Sequence, residues 1–209
     1  MKTTIYITRH GQTEWNVEKK LQGHQDSPLT ELGVKQAQWL GEALEQVPID
    51  YIYSSSSPRA LLTAELIRQN RPIAIKASDE LREINLGLWE GQRQDVLKET
   101  EAEQFGYFWN DPDRFGVEQS ETFQEVSERA VSKLMEIAAE HEGSRILLVT
   151  HTVVVKLLMA HFEGRAMKNL WELPYIHPTC LSKVEMSHEG STIVLHGDIS
   201  HYKEQADFV

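Results

Sequence analysis

Arg9 and His10 stand between a short apolar run and Gly11, and that placement is where a chemical reading of the chain begins. Lys2 to Thr8 is rich in β-branched and aromatic residues, which predicts a buried strand running straight into a glycine turn. The pair would then sit at the carboxyl end of a strand, where open α/β sheets hold their ligands. A guanidinium offers a planar fork of donors matched to phosphate, and a neutral imidazole beside it is a nucleophile able to accept a phosphoryl group. Together they point to phosphoryl transfer. An Arg-His-Gly triplet is also compatible with a histidine that merely hydrogen-bonds the backbone, so the other candidate residues matter.

Three of these fall where similar chemistry would need them. Ser55-Ser56-Ser57-Pro58-Arg59 follows a strand pattern over 49–54; Ser57 is placed as an N-cap and Pro58 as the first helical residue. Arg59 would occupy the first turn of that helix, where free backbone donors and the helix dipole also favour an anion. Arg145 to Thr150 is a nearly continuous apolar run, as expected of a central parallel strand, and His151 stands at its end. Glu83 is flanked by Leu81, Ile84 and Leu86, and an apolar setting would raise its pKa towards that of a usable acid. A pairing of Glu83 with Arg82 or with solvent is the alternative. Asn16, Gln22 and Gly23 lie in a polar stretch, 15–23, that reads as a loop, and they could offer donors to an oxyanion or serve their own turns.

The elements that must hold these groups alternate between strand and helix. Thr30 is placed as the N-cap of a helix carrying Ala37, Leu40, Leu44 and Val47 and ended by Pro48. A further short strand is expected over 72–75. Thr122 to Glu125 has the spacing of a capping box, and Phe123, Val126, Ala130, Leu134 and Ile137 continue at helical spacing. Another helix begins near Thr152. The tail returns to strand patterns over 180–186 and 192–195, joined as a hairpin at Glu189-Gly190. Between Gln92 and Gln119, acidic residues are interleaved with Phe105, Tyr107, Phe108, Trp109 and Phe115, which predicts short helices and loop laid over the strand ends. Those aromatics either wall a cleft or anchor the segment to the core. The expectation is an α/β fold, a three-layer α/β/α sandwich with a mainly parallel sheet and helices on both faces, formed by one domain over 1–209.

With 209 residues and one cysteine, Cys180, the chain is long enough to bury a core without disulfides. No signal-peptide pattern opens it, and no apolar run approaches the ~20 residues of a membrane span. A cytoplasmic location is expected. The formal net charge of −11 opposes association with nucleic acid or an anionic membrane. An acidic protein that handles an anionic substrate must gather its positive charge locally, so arginines at strand ends carry information. The histidines at 24, 141, 161, 188, 196 and 201 show no metal-ligand spacing and are expected at or just beneath the surface, with His177 the least certain of the group.

As an ordered set, Thr8-Arg9-His10-Gly11-Gln12-Thr13-Glu14-Trp15-Asn16, Leu21-Gln22-Gly23 with Pro28-Leu29-Thr30, Arg59 after a serine-rich strand end, Glu83, and Val149-Thr150-His151 resemble the histidine phosphatase superfamily, also called phosphoglycerate mutase-like. Within it the chain looks most like the compact bacterial broad-specificity phosphatases of the PhoE type. The resemblance implies that His10 is the phosphorylated nucleophile, that Arg9, Arg59 and His151 bind the phosphoryl oxygens, and that Glu83 is the general acid and base. It implies further contacts from Asn16, Gln22 and Gly23, no metal and no cofactor, and a small phosphorylated metabolite as substrate. Thr152 stands where members commonly have glycine, adding a hydroxyl near the phosphate or narrowing the turn. Ile84-Asn85-Leu86-Gly87 stands where the mutases typically carry Arg-His-Tyr-Gly, and the chain is shorter than theirs; both weaken a mutase reading. Phosphomonoester hydrolysis is therefore expected, with a cofactor-dependent phosphoglycerate mutase as the alternative. A regulator that binds a phosphorylated ligand without turnover is disfavoured by the retention of His10, Glu83 and both arginines.

Overall fold

Alternation along the strands divides the interior into two layers. In a computed structural model that describes residues 1–204, Ile5 and Ile7 of strand β1 (Thr3–Arg9) pack into one apolar cluster while Tyr6 between them packs into the other. Strand β4 (Arg145–Thr150) does the same, with Ile146 and Leu148 on the first side and Leu147 and Val149 on the second. Successive side chains of a strand point to opposite faces, so a run apolar at every position must be covered on both. Helices α2 (Glu31–Ala43) and α3 (Pro58–Arg68) cover one face through Ala37, Leu40, Ala60, Ala64 and Ile67. Helices α6 (Phe123–Glu140) and α7 (Thr152–Glu163) cover the other through Val126, Ala130, Leu134, Ile137, Val154 and Leu158.

The sheet completes the expected three layers. With β2 (Tyr51–Ser55), β3 (Ile75–Ser78), β5 (Leu181–Ser187) and β6 (Gly190–Asp198), its order is β3-β2-β4-β1-β5-β6. The first four strands are mutually parallel; β5 joins β1 antiparallel and β6 joins β5 antiparallel. Register aligns the strand ends: Arg9 is paired with Thr150 and Ser54 with Val149. The residues that come next, His10, Ser55 and His151, are thereby delivered side by side at one edge.

Several boundaries differ from the expectation. The stretch 15–23 is not all loop: Thr13 and Asn16 form a capping box that starts a one-turn helix, α1 (Glu14–Val17). Helix α2 ends at Ala43, well before Pro48, because 44–47 turns back through the Val47 amide to the Leu44 carbonyl. The third strand is not 72–75 but Ile75–Ser78, since pairing with β2 selects that register (Ile52 with Ile75, Ser55 with Ser78) over local apolar content. Thr30 and Thr122 cap their helices as expected, whereas Ser57 holds the N-cap position without a side-chain cap bond. The segment 92–119 contains α4 (Gln94–Thr100), α5 (Ala102–Asn110) and a single 3-10 turn. Residues 205–209 of the expected 1–209 unit lie outside the described part.

Candidate active site

His10 is buried, and its Nδ1 lies 2.7 Å from the Gly11 carbonyl oxygen. A carbonyl only accepts, so Nδ1 carries the ring hydrogen and Nε2 keeps its lone pair. Burial, then the positive charges of Arg59 and Arg9, hold its pKa well below 6.5, and the imidazole is neutral at pH 7. The turn after His10 is set by a close approach of two backbones. A Cβ on Gly11 would fall 2.4 Å from the Gly33 carbonyl oxygen, and one on Gly33 would fall 2.0 Å from that of Gln12. Only glycine at both positions lets the first turn of α2 come this near.

Arg9 and Arg59 are built alike. Arg9 donates from Nη1 to the Ile176 carbonyl at 2.8 Å, and its buried Nε has no partner. Arg59 donates from Nη1 to the Gln25 carbonyl and Asp26 Oδ1, both at 2.8 Å, and from Nη2 to the Gly23 carbonyl at 2.9 Å, and its buried Nε is likewise unpartnered. Each guanidinium thus fixes a loop with one edge and leaves a donor free on the other. Asp26 neutralises part of the Arg59 charge, yet burial still lowers that pKa. His151, fully buried, lies with its ring centroid 5.2 Å from that of His10. Its Nε2 meets Ser55 Oγ at 2.7 Å, and its buried Nδ1 has no partner. Ser55 Oγ accepts from the Ser57 amide; when its own proton is donated to His151 Nε2, the imidazole hydrogen sits on the unpartnered Nδ1. Unpartnered buried polar atoms are uncommon and costly in a folded protein. Three of them here, two guanidinium and one imidazole nitrogen around a neutral histidine, fit an anion.

Glu83 accepts from its neighbour's amide, Ile84 N, at 3.0 Å and from Val153 N in the first turn of α7 at 3.2 Å. Burial raises its pKa above 4.5, while those two amides, Arg59 and Arg9 pull in the opposite direction. Arg9, His10, Asn16, Gln22, Gly23, Arg59, Glu83 and Thr152 all line one cavity of about 710 Å³. His151 is not among the residues that line it. Two other candidates are less available than the sequence suggests. Gln22 donates from Nε2 to Thr13 Oγ1 and accepts at Oε1 from the Ser27 hydroxyl, and Asn16 Oδ1 accepts from Thr13 N in the capping box. Gly23 has φ of +54° and offers its carbonyl to Arg59.

Other parts of the wall were not singled out from sequence. Segment 171–178 supplies Trp171, Leu173, Tyr175 and His177 to the cavity, and Lys156 beneath it donates to the carbonyls of Glu172 and Pro174. Burial brings the Lys156 pKa down to about 8. That segment carries no periodicity, and His177, the least certain of the histidines, was its one residue remarked in the sequence. Of the aromatics in 92–119, Phe108 and Trp109 reach the cavity, while Phe105 and Phe115 pack against Trp89 in the core; both expectations hold, for different residues. His141 is not at the surface: it is buried, stacked on Tyr51 at 3.7 Å, and bonded to Tyr53 Oη. Among the described residues no group of three His, Cys, Asp or Glu side chains is arranged to hold a metal ion, and no helix is long and apolar enough to cross a membrane.

The fold and the sequence also match known proteins. The chain is 43% identical to the solved structure of Bacillus stearothermophilus YhfR, with a TM-score of 0.93 over 95% of this chain and 98% of that one. It is 28% identical to the α-ribazole phosphatase of Shigella flexneri, with a TM-score of 0.84 over 93% and 96%. Among curated relatives it is 36% identical to a Salmonella arizonae protein named "Probable phosphoglycerate mutase GpmB", over 77% of this chain and 74% of that one. Residues 5–199 match the model of the histidine phosphatase superfamily, branch 1, and the chain belongs to that family.

Proposed function

We propose that this protein is a phosphatase that hydrolyses small phosphomonoesters through a phosphohistidine on His10, one catalytic unit over 1–209 in which the 92–119 segment helps to roof the site. The carrying observation is the set of unpartnered buried donors, Arg9 Nε, Arg59 Nε and the His151 ring, gathered around a histidine whose free nitrogen is Nε2. In the first step His10 Nε2 attacks phosphorus, a P–N bond forms, the ester P–O bond breaks, and the Glu83 proton passes to the leaving oxygen. In the second, ionised Glu83 takes a proton from water as its oxygen attacks phosphorus; the P–N bond breaks, phosphate leaves, and neutral His10 returns. Transfer of this kind rests on positioning and charge more than on covalent machinery, which suits a site made of fixed donors. Asn16, Gly23 and Thr152 would add contacts at the rim, and in a chain of net charge −11 these arginines, with Lys19, Lys20 and Lys156 also on the cavity wall, supply the local attraction for an anion.

The name of the Salmonella relative favours a second reading, a phosphoglycerate mutase. A mutase must hold a phosphorylated acid while it reorients, and here Ile84 and Leu86, both buried, form that part of the wall. A panel of phosphorylated metabolites, including 2- and 3-phosphoglycerate, scored for both free phosphate and isomerised product, separates the two. Phosphate release without isomerisation is expected; isomerisation outpacing release would overturn the proposal.

A further inference from the structure

Arg129 lies in α6, outside the cavity wall, yet every one of its side-chain donors is engaged within reach of the loop that carries Glu83. Its Nη1 donates to the carbonyls of Glu80 and Arg82, both at 2.8 Å, and its Nη2 to the carbonyl of Glu83 itself at 3.1 Å. Nε and Nη2 also make a two-point contact with Glu121, at 2.7 and 2.8 Å. Glu121 in turn accepts from Asn85 N at 2.8 Å, and its own amide donates to the Asn85 carbonyl at 2.9 Å. The remaining carbonyl of the run, Leu81, accepts from Thr150 Oγ1 at 2.7 Å. Four successive carbonyls, 80 to 83, are thus held by two side chains, one on α6 and one at the end of β4.

We propose that Arg129 is a positioning residue for proton transfer: its clamp fixes the 80–85 loop at the height from which the Glu83 carboxyl reaches the leaving oxygen, an inference that rests on Glu83 being the general acid. The carboxylate is tethered by Ile84 N and Val153 N, but those bonds set its orientation only if the loop stands at the right distance from α7. A planar fork with five donors spans three carbonyls and a carboxylate at once; an ammonium group offers three donors from one point and cannot. Displacement of a reacting group by about 1 Å is enough to cost on the order of 10²-fold in rate.

The test is single-turnover phosphorylation of His10 by two esters, p-nitrophenyl phosphate and glycerol 2-phosphate, in the wild type, Arg129→Lys, Glu83→Gln and the double variant. A nitrophenolate leaves without a proton and an alkoxide does not, so loss of acid catalysis slows only the alkyl ester, by roughly 10²–10⁴-fold for Glu83→Gln. Arg129→Lys should slow the alkyl ester about 10- to 100-fold while changing the nitrophenyl ester less than about threefold, and the double variant should be no slower on the alkyl ester than Glu83→Gln alone. Equal losses on both esters for Arg129→Lys, with Glu83→Gln selective, would reduce Arg129 to a structural staple and overturn the inference. Equal losses for Glu83→Gln itself would overturn the acid assignment and the inference with it. Should Arg129→Lys fail to fold, Glu121→Gln keeps the arginine and loosens its two-point contact, and the same selective loss, smaller in size, is expected; no selectivity there counts against the clamp.

Discussion

Three of the five Arg59 donors are engaged with Gly23, Gln25 and Asp26, so this side chain builds the wall as well as facing the proposed phosphate. A lysine would restore the charge but neither the loop contacts nor the free Nε, and it would leave three acceptors without their donor. Arg59→Lys is expected to lower kcat/KM by roughly 10²–10³-fold on several phosphate esters, with most of the loss in kcat. Retention of wild-type kcat/KM in steady-state assays would remove Arg59 from contact with the transferring group. At this scale the sequence was most informative where a residue's neighbours in the chain fix its place. Arg9, His10 and His151 follow apolar runs, and Arg59 follows a serine cap position and a proline. Gln22 was less legible because its amide answers to Thr13 and Ser27, and Arg129 was silent because its carbonyl partners lie 46 to 49 residues away in the loop it holds.

At the scale of elements, the site is a consequence of register. Pairing of Arg9 with Thr150 and of Ser54 with Val149 brings the ends of β1, β2 and β4 level, and the Gly11–Gly33 contact then lets α2 press against the turn after His10. Gly33→Ala would push a methyl group into the Gln12 backbone, where nothing flexible can give way. Overpacking of this kind costs about 1–3 kcal/mol, which for a chain of this length lowers Tm by roughly 2–12 °C. Thermal melts should show that loss together with reduced turnover, because the displaced segment carries His10. An unchanged Tm would mean the turn can move away freely. Helices with local start signals, such as Thr30 and Thr122, could be read directly, and the central strand at 145–150 likewise. The one-turn helix at Glu14–Val17 was missed because its cap pairs Thr13 with Asn16 in place of the commoner glutamate or glutamine, and the third strand was displaced because its edge position tolerates Lys76 and Ser78.

Across the whole molecule, buried imidazoles tie stability to pH. Burial holds the pKa of His10 and His151 well below 6.5 and brings that of His201 down to about 4. On acidification the unfolded chain therefore binds protons first. Their contribution is complete above pH 6.5 and is lost as the pH falls towards the folded-state values. Glu83 has the opposite sign: its raised pKa stabilises the fold below 4.5, and that contribution disappears as the pH rises through the folded value. Between pH 7 and about 5 the histidines dominate, so Tm should fall steadily over that range, and His10→Gln should flatten the slope. A wild-type Tm independent of pH there would show that these rings are not held neutral. The layered fold itself was legible as alternating strand and helix patterns, since a strand apolar at every position can only lie between two helical layers. Segment 171–178, which lines the cavity, has no such pattern and is placed by tertiary bonds to Arg9 and Lys156.

The central claim is that His10 Nε2 carries the phosphoryl group during turnover, and it is tested most directly by rapid-quench peptide mapping with a phosphomonoester substrate under alkaline work-up, since phosphohistidine is labile to acid. The label should appear on the peptide containing His10, form and decay fast enough to account for steady-state turnover, and be absent from His10→Ala. Steady turnover with no label on His10, or full activity in His10→Ala, would contradict the account.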